Sequence, residues 1–217
     1  MSNKIRAAVF DLDGTLIDSV PDIAAAANRY LEARGLPVLD AELVETFVGW
    51  GPRKLMVDVL KTLDQPTDDA AVDAAVAGFM EVYWRHPADL TRFFPHVRED
   101  LETLKAAGIA LGVCTNKPHD LTLKVLETLG VGHLFASVVG SGVAAANKPD
   151  PAHLLEVARR MDLAPGEWVY VGDTVVDRRT AEAACVRFFA VPWGGGRHLE
   201  VAEEVRLSRL ADLVEPG

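Results

Sequence analysis

The residues Val9-Phe10-Asp11-Leu12-Asp13-Gly14-Thr15 join an apolar run to two aspartates, a glycine and a threonine. Residues 7–10 have the length and apolarity of a buried strand, and Asp13-Gly14 is a strong signal for a break directly after it. Side chains two positions apart on a strand point in the same direction, so the two carboxylates can face one site. The stretch therefore predicts an acidic site at the exit of a buried strand.

Two structural alternatives fit the same stretch. Asp-Gly between apolar segments is typical of a type I′ hairpin turn, which would leave both carboxylates in solvent. A calcium-binding loop counted from Asp11 requires Gly at its sixth position and Glu at its twelfth, where this chain has Leu16 and Asp22. The calcium loop is excluded, and the choice between a turn and an active site depends on partners later in the chain.

The composition is that of an ordinary globular protein, with 217 residues of which 49% are hydrophobic and 25% charged. A formal net charge of -10 disfavours nonspecific nucleic-acid binding and anionic membranes as partners. Cys114 and Cys185 are too few for a disulfide framework. No apolar stretch has the length of a signal-peptide core or a membrane span, so we expect a cytoplasmic protein, either a monomer or a weak homodimer.

The first third of the chain after the opening stretch has helical periodicity only. Apolar residues recur at helical spacing and are separated by proline and glycine, which predicts helices over residues 18–34, 53–63 and 68–85. No strand-like run occurs between Ile17 and Arg92. We therefore expect an all-helical insertion after the first strand.

After Pro95 short apolar runs alternate with helical patterns. The runs predict strands over residues 109–114, 137–140, 168–171 and 187–191, separated by helices over 97–107, 119–129, 151–162 and 176–185. Strands separated by helices form a parallel sheet through right-handed crossovers, and ligands bind at the carboxyl ends of its strands. The fold class is therefore α/β, and the first strand belongs to the same sheet.

Polar residues follow three of these later strands. Each group alone is explained by a helix cap, a turn or a partner of a helix dipole. Together with the opening stretch they place carboxylates at one sheet edge, where each pair about 4 Å apart costs roughly 4 kcal/mol at an effective dielectric of about 20. Such a cluster needs cations, and we expect a lysine and a hard divalent ion, Mg²⁺. The groups are Thr115-Asn116-Lys117, Asn147-Lys148-Pro149 and Gly172-Asp173 with Asp177.

These motifs, in this order, resemble the four signatures of the haloacid dehalogenase superfamily of phosphohydrolases. The matching residues are Asp11-Leu12-Asp13-Gly14-Thr15, Thr115, Lys148-Pro149 and Gly172-Asp173 with Asp177. The resemblance covers nearly the whole chain. It implies a Rossmann-like catalytic core formed by residues 1–16 and 93–217 and an inserted all-helical cap domain formed by residues 17–92.

The resemblance also implies a role for each motif residue. Asp11 would attack phosphorus and form an aspartyl-phosphate, while Asp13 would protonate the leaving alkoxide and later activate water. Mg²⁺ would be bound by the carboxylates of Asp11 and Asp173 and the carbonyl of Asp13, with Asp177 in support. The residues implied to hold the phosphoryl oxygens of a small phosphorylated substrate are Thr115, Asn116 and Lys148.

Related chemistries differ at Asp13. The dehalogenases and phosphonate hydrolases of the superfamily lack an aspartate there, because they have no alkoxide to protonate. Lys54 lies where a phosphonate hydrolase carries a Schiff-base lysine, but exposed lysines are common and Asp13 argues against that role. Two functions of a different class stay open: a phospho-accepting receiver, disfavoured by the large insertion and Asp13, and a catalytically silent relative that keeps the fold.

Two segments of the insertion resemble bacterial phosphoglycolate phosphatases, namely residues 18–23 and the loop Val48-Gly49-Trp50-Gly51-Pro52-Arg53. Sugar phosphomutases of this type carry a histidine near position 23, where this chain has Ile23. The amides near Gly49 and Trp50 at a helix start, together with Arg53, can bind a second anionic group such as a carboxylate. The alternative is that Arg53 only solvates the insertion.

Relatives usually have glycine at two positions that carry no chemistry. In this chain those positions are His96, which we expect to stiffen a hinge, and Cys185, which we expect to strain a left-handed helix end.

Overall fold

The computed structural model describes residues 5–214 and contains two sheets and eight α-helices within that range. The strands are β1 (Ala7–Phe10), β2 (Ile17–Asp18), β3 (Arg92–Phe93), β4 (Ala110–Pro118), β5 (Phe135–Ser141), β6 (Trp168–Gly172) and β7 (Arg187–Ala190). The helices are α1 (Val20–Glu32), α2 (Ala41–Glu45), α3 (Pro52–Thr62), α4 (Asp69–Arg85), α5 (Val97–Ala106), α6 (His119–Thr128), α7 (Pro151–Arg160) and α8 (Val175–Ala183).

Five strands form a parallel sheet in the order β5-β4-β1-β6-β7. The central strand β1 pairs with β4 on one side and β6 on the other, with Ala7 opposite Ala110 and Trp168. All four residues of β1 are buried, because helices cover both faces of a parallel sheet. The sheet confirms the predicted α/β fold, and it places the exits of β1, β4 and β6 side by side.

The helices α5 to α8 connect the strands and bury apolar side chains against the sheet. Val9 and Tyr170 lie in one hydrophobic cluster with Leu154 and Val157 of α7. Because these side chains are almost wholly removed from water, they fix the direction in which the strands leave the core. Among the described residues no helix is both long and apolar enough to cross a bilayer.

Residues Ser19–Arg92 form a separate compact unit, while the residues up to Asp18 and from Phe93 onward form the other. The helical unit contains α1 to α4, and the two ends of its chain are joined by Asp22. The buried carboxylate of Asp22 accepts hydrogen bonds from the backbone amides of Leu90 and Thr91 and from the Thr91 hydroxyl, at 2.6 to 3.1 Å. The domain bounds given above, and the action of this unit as a cap, stay predictions.

Three features differ from the sequence-based expectation. The helix α2 has only five residues, too few to give a periodic pattern. The two-residue strands β2 and β3, which pair at the two ends of the insertion, were not predicted because two residues show no alternation. Residues 19–91 contain no strand, as expected. Strand β4 continues to Pro118 rather than ending at Cys114, so its polar residues are held in extended backbone.

The backbone is left-handed at both positions where relatives usually have glycine. Cys185, just after α8, has φ 55° and His96, just before α5, has φ 64°. A side chain with a Cβ atom costs about 1 kcal/mol in this conformation, because Cβ approaches the following carbonyl oxygen.

Substituting Cys185→Gly should raise the free energy of unfolding by about 0.5 kcal/mol, because relief of the left-handed strain exceeds the added entropy of the unfolded chain. Equilibrium urea denaturation measures the change. Cys185→Ala is the matched control, since it removes the thiol but keeps Cβ. A glycine variant no more stable than the alanine variant would show that this position is unstrained.

Candidate active site

Three buried carboxylates meet where β1 and β6 leave the sheet. Asp11 follows β1, Asp173 follows β6, and Asp177 lies in the first turn of α8. One oxygen of each lies within 4.8 Å of the others. The site predicted from separate strand exits is therefore assembled, and the hairpin-turn alternative is wrong, since β1 continues into a buried site rather than a solvated turn.

Asp11 is held at its backbone and its side chain. Its amide donates to the Val171 carbonyl at 2.9 Å, and its Oδ1 accepts from the Leu12 amide at 2.7 Å. Burial and the charge of Asp177 raise the pKa of Asp11 to about 7, although Lys148 opposes this shift. The nucleophile candidate therefore needs nearby positive charge to be ionised at neutral pH.

Lys148 supplies part of that charge from within the core. Its Nζ lies 2.9 Å from Asp11 and 2.7 Å from Asp177, and it donates to the Tyr170 hydroxyl at 3.0 Å. The lysine side chain is 1% exposed. Burial alone would lower the pKa of Lys148, but the charges of Asp11 and Asp177 raise it above its ordinary value, so the group is an ammonium.

The backbone of Lys148 is clamped by Asn116. The Asn116 amide nitrogen donates to the Lys148 carbonyl at 3.0 Å, and the Lys148 amide donates to Asn116 Oδ1 at 2.9 Å. The Lys148-Pro149 peptide is cis. Both polar atoms of the Asn116 side chain therefore position Lys148, whereas the resemblance implied a contact of Asn116 with substrate.

Asp177 is fully buried, and four hydrogen bonds from Tyr170, Thr174 and Lys148 saturate its carboxylate. Oδ1 accepts from Lys148 and from the Tyr170 hydroxyl at 2.8 Å, and Oδ2 accepts from the amide and the hydroxyl of Thr174 at 3.0 and 2.6 Å. Burial works against ionisation, but Lys148 and these donors lower the pKa of Asp177 below its ordinary value. Tyr170 and Thr174 were absent from the sequence-predicted site, because an aromatic in a strand and a helix cap have ordinary structural explanations.

Asp173 is oriented by Thr15 and by a glycine-rich loop. Its Oδ1 accepts from the Thr15 hydroxyl and its Oδ2 from the Gly195 amide, both at 2.8 Å. A Cβ atom at Gly195 would lie 2.9 Å from Oδ2, so glycine allows the close approach. The loop Trp193-Gly194-Gly195-Gly196 was missed, although three glycines after the fifth strand of the sheet were a signal that could have found it.

The strand-exit pattern predicts that Asp13 converges with Asp11, Asp173 and Asp177, but the structure places the Asp13 carboxylate outside that cluster and beside a different lysine. Lys117 Nζ lies 2.9 and 3.2 Å from the two carboxylate oxygens of Asp13. The neighbouring Thr115 is buried, and its hydroxyl accepts from the Lys117 amide at 3.2 Å. From the sequence, Lys117 was only a possible hydrogen-bond donor, and its pairing with Asp13 was not predicted.

The residues predicted to recognise a second anionic group lie in the helical unit. Gly49 has φ 108°, Trp50 is exposed, and Arg53 lies at the start of α3. The Arg53 guanidinium forms ion pairs with Asp69, at 2.6 Å, and with Asp73, both in α4.

The chemistry of the donor set fits a hard divalent cation. Burial and the charges of Asp177 and Asp11 also raise the pKa of Asp173 well above its ordinary value. Three clustered carboxylates face one ammonium, Lys148, which leaves negative charge uncompensated. All-oxygen carboxylate sites are typical of magnesium and calcium, so an ion here would relieve the unfavourable charge.

Comparison with known proteins gives an independent line of evidence. The model of the haloacid dehalogenase-like hydrolase family matches residues 8–191. A phosphoglycolate phosphatase from Pseudomonas putida is 37% identical over 191 residues, covering 87% of this chain and 70% of the relative. One from Escherichia coli K12 is 38% identical over 197 residues, covering 83% and 78%. A crystal structure of a predicted phosphoglycolate phosphatase from Haemophilus somnus has a TM-score of 0.86 and 28% identity, covering 98% and 97%.

The raised pKa values of Asp11 and Asp173 predict how an ion stabilises the fold. Without an ion, Asp11 and Asp173 keep their protons in the folded chain, whereas the unfolded chain releases them above about pH 4. The free energy of unfolding therefore falls as the pH rises from about 4 towards 7. A divalent cation competes with those protons. The increase in melting temperature caused by MgCl₂ should therefore be at least about twofold larger at pH 8 than at pH 5.5. The substitution Asp173→Asn should abolish this increase in melting temperature. Equal increases of the wild-type melting temperature at pH 5.5 and pH 8 would refute the charge argument.

Proposed function

Because the chain belongs to the haloacid dehalogenase-like hydrolase family, we propose that it is a Mg²⁺-dependent phosphatase acting on a small phosphate monoester through an aspartyl-phosphate. The observation that carries the proposal is the contact of the buried Asp11 carboxylate with Lys148 at 2.9 Å, beside Asp173 and Asp177. This contact supports Asp11 as the nucleophile, because the Lys148 ammonium stabilises the carboxylate charge in a site with little water until a phosphate ester binds.

The proposed reaction has two displacements. An oxygen of Asp11 forms a bond to phosphorus while the bond from phosphorus to the substrate alcohol breaks, and Asp13 gives its proton to the leaving oxygen. Asp13 then removes a proton from the water that hydrolyses the aspartyl-phosphate. Lys148 and Thr115 bind the phosphoryl oxygens, and Asn116 contributes by holding the Lys148 backbone in place.

The metal site is proposed as the resemblance implies it. Asp11 and Asp173 would supply carboxylate ligands and Asp13 its carbonyl, while Asp177 would support the site through its bonds to Lys148 and Thr174. Bound Mg²⁺ would supply positive charge to the phosphoryl oxygens as negative charge develops on them. The same charge opposes the burial that raises the pKa of Asp11 to about 7, which favours the ionised nucleophile.

The proposed substrate is 2-phosphoglycolate. Support comes from the names of the relatives and from the loop at Gly49, Trp50 and Arg53, which we propose binds the carboxylate of this substrate. A phosphonate hydrolase is disfavoured by Lys54, whose ammonium pairs with Asp58 one turn along α3.

Asp11→Asn should abolish phosphate release from 2-phosphoglycolate, lowering kcat at least about 10³-fold, because an amide cannot replace the nucleophile. A panel of phosphate esters assayed with Mg²⁺ and with EDTA measures turnover, metal dependence and substrate choice. The variant should remain folded, since a neutral side chain suits the raised pKa of Asp11. Asp162→Asn, an exposed change in the same unit, should keep full activity. Unchanged turnover in Asp11→Asn would refute the mechanism, and an inactive wild-type chain would indicate a silent relative.

Arg53→Ala should raise KM for 2-phosphoglycolate about 10-fold or more, because a charged hydrogen bond to the substrate carboxylate is lost. KM for p-nitrophenyl phosphate, which has no carboxylate, should change less than about twofold. Arg85→Ala is the matched control, since Arg85 is also an exposed arginine of the helical unit paired with an acidic side chain. If Arg53→Ala changes KM equally for both substrates, Arg53 does not bind the substrate carboxylate.

A further inference from the structure

Lys117 and Asp13 form a buried charge pair that none of the motif roles assigns. The ammonium contacts both carboxylate oxygens, at 2.9 and 3.2 Å. The side chains are 3% and 13% exposed, so water screens the pair little. Burying a lysine ammonium is unfavourable unless it is paired, and the Asp13 carboxylate supplies such a partner.

The backbone around Lys117 is fixed independently of Asp13. Lys117 lies in the extended end of β4, its amide donates to Thr115 Oγ1, and its carbonyl accepts from the Thr122 hydroxyl at 3.4 Å. A Cβ atom at Gly140 would lie 2.7 Å from the Lys117 carbonyl, so a glycine in β5 permits this close strand approach. The lysine side chain thus extends from a rigid base towards Asp13.

The two buried lysines contact different carboxylates. Lys148 contacts Asp11 and Asp177, whereas Lys117 forms its ion pair with Asp13. The proposed nucleophile and the proposed acid/base group, only two residues apart, therefore contact the ammonium groups of different lysines.

We propose that Lys117 is a positioning residue that holds Asp13 for proton transfer to the leaving group; the inference rests on the phosphatase function proposed above. As the bond from phosphorus to the leaving oxygen breaks, that oxygen takes the proton of the Asp13 carboxylic acid. The contacts of Lys117 with both oxygens fix the orientation of the Asp13 carboxyl group, and loss of the ammonium would leave that orientation less restricted as the leaving oxygen departs.

Two aryl esters that differ in the basicity of the leaving group test the proposal. Phenyl phosphate releases a basic phenolate that benefits from a proton, whereas p-nitrophenyl phosphate releases a weak base. The ratio kcat/KM covers only the steps through departure of the alcohol, so later hydrolysis of the aspartyl-phosphate does not enter. Lys117→Met should lower kcat/KM for phenyl phosphate about 10- to 100-fold and for p-nitrophenyl phosphate less than about threefold.

Matched variants separate this role from a structural one. Lys105→Met, in an exposed lysine of α5, should leave both values unchanged. Lys117→Gln keeps an uncharged amide NH₂ group that can donate hydrogen bonds, so kcat/KM for phenyl phosphate should fall less than in Lys117→Met. The glutamine variant also serves if the methionine variant does not fold, as judged by thermal melting.

Four results would overturn the proposal. If Lys117→Met lowers kcat/KM equally for both esters, the role of Lys117 is structural, and if kcat/KM does not change, Lys117 has no role. If kcat/KM rises, Lys117 holds Asp13 away from the reaction. A loss confined to 2-phosphoglycolate would mean that Lys117 binds the substrate carboxylate instead. A wild-type chain that hydrolyses none of these esters would refute the phosphatase function itself, which distinguishes the two failures.

Discussion

The site depends on one constraint, which is the burial of several carboxylates at the exits of adjacent strands. Two such charges about 4 Å apart repel by roughly 4 kcal/mol even at an effective dielectric of about 20. The Lys148 ammonium, between Asp11 and Asp177, offsets most directly the repulsion between those two groups. Its position is therefore the interaction on which the remaining geometry depends, and Asn116 and Tyr170 both serve to maintain it.

The parallel sheet makes this concentration of charge possible. Strand β1 is buried on both faces and pairs on each side, so the exits of β4 and β6 lie next to Asp11. The carboxylates are then oriented by groups from other parts of the chain: Asp173 by Thr15 and Gly195, and Asp177 by Lys148, with Thr174 adding local hydrogen bonds. Carboxylates held in this way need little reorganisation when a cation or a phosphoryl group arrives, which is the condition for electrostatic catalysis.

The sequence predicted the helices and strands, which repeat a pattern of apolar residues, and the strand exits, where polar residues interrupt that pattern. These patterns were sufficient to predict the α/β sheet. They were also sufficient to predict that Asp11, Asp173 and Asp177 come together. The pairing of Lys117 with Asp13 was not predictable, because it depends on how far β4 stays extended and on the reach of a long side chain. Arg53 shows the same limit, since residues 16 and 20 positions later in the chain supply its partners.

The two lysines also define the charge that a cation must supply. Four carboxylates, Asp11, Asp13, Asp173 and Asp177, face the ammonium groups of Lys148 and Lys117. With all four carboxylates ionised, the deficit of two positive charges equals the charge of one divalent ion. Because Asp13 pairs with Lys117, this deficit falls on the cluster of Asp11, Asp173 and Asp177. A divalent ion bound at the cluster would balance the deficit beside Asp11, the proposed nucleophile, while Asp13 stays paired with Lys117.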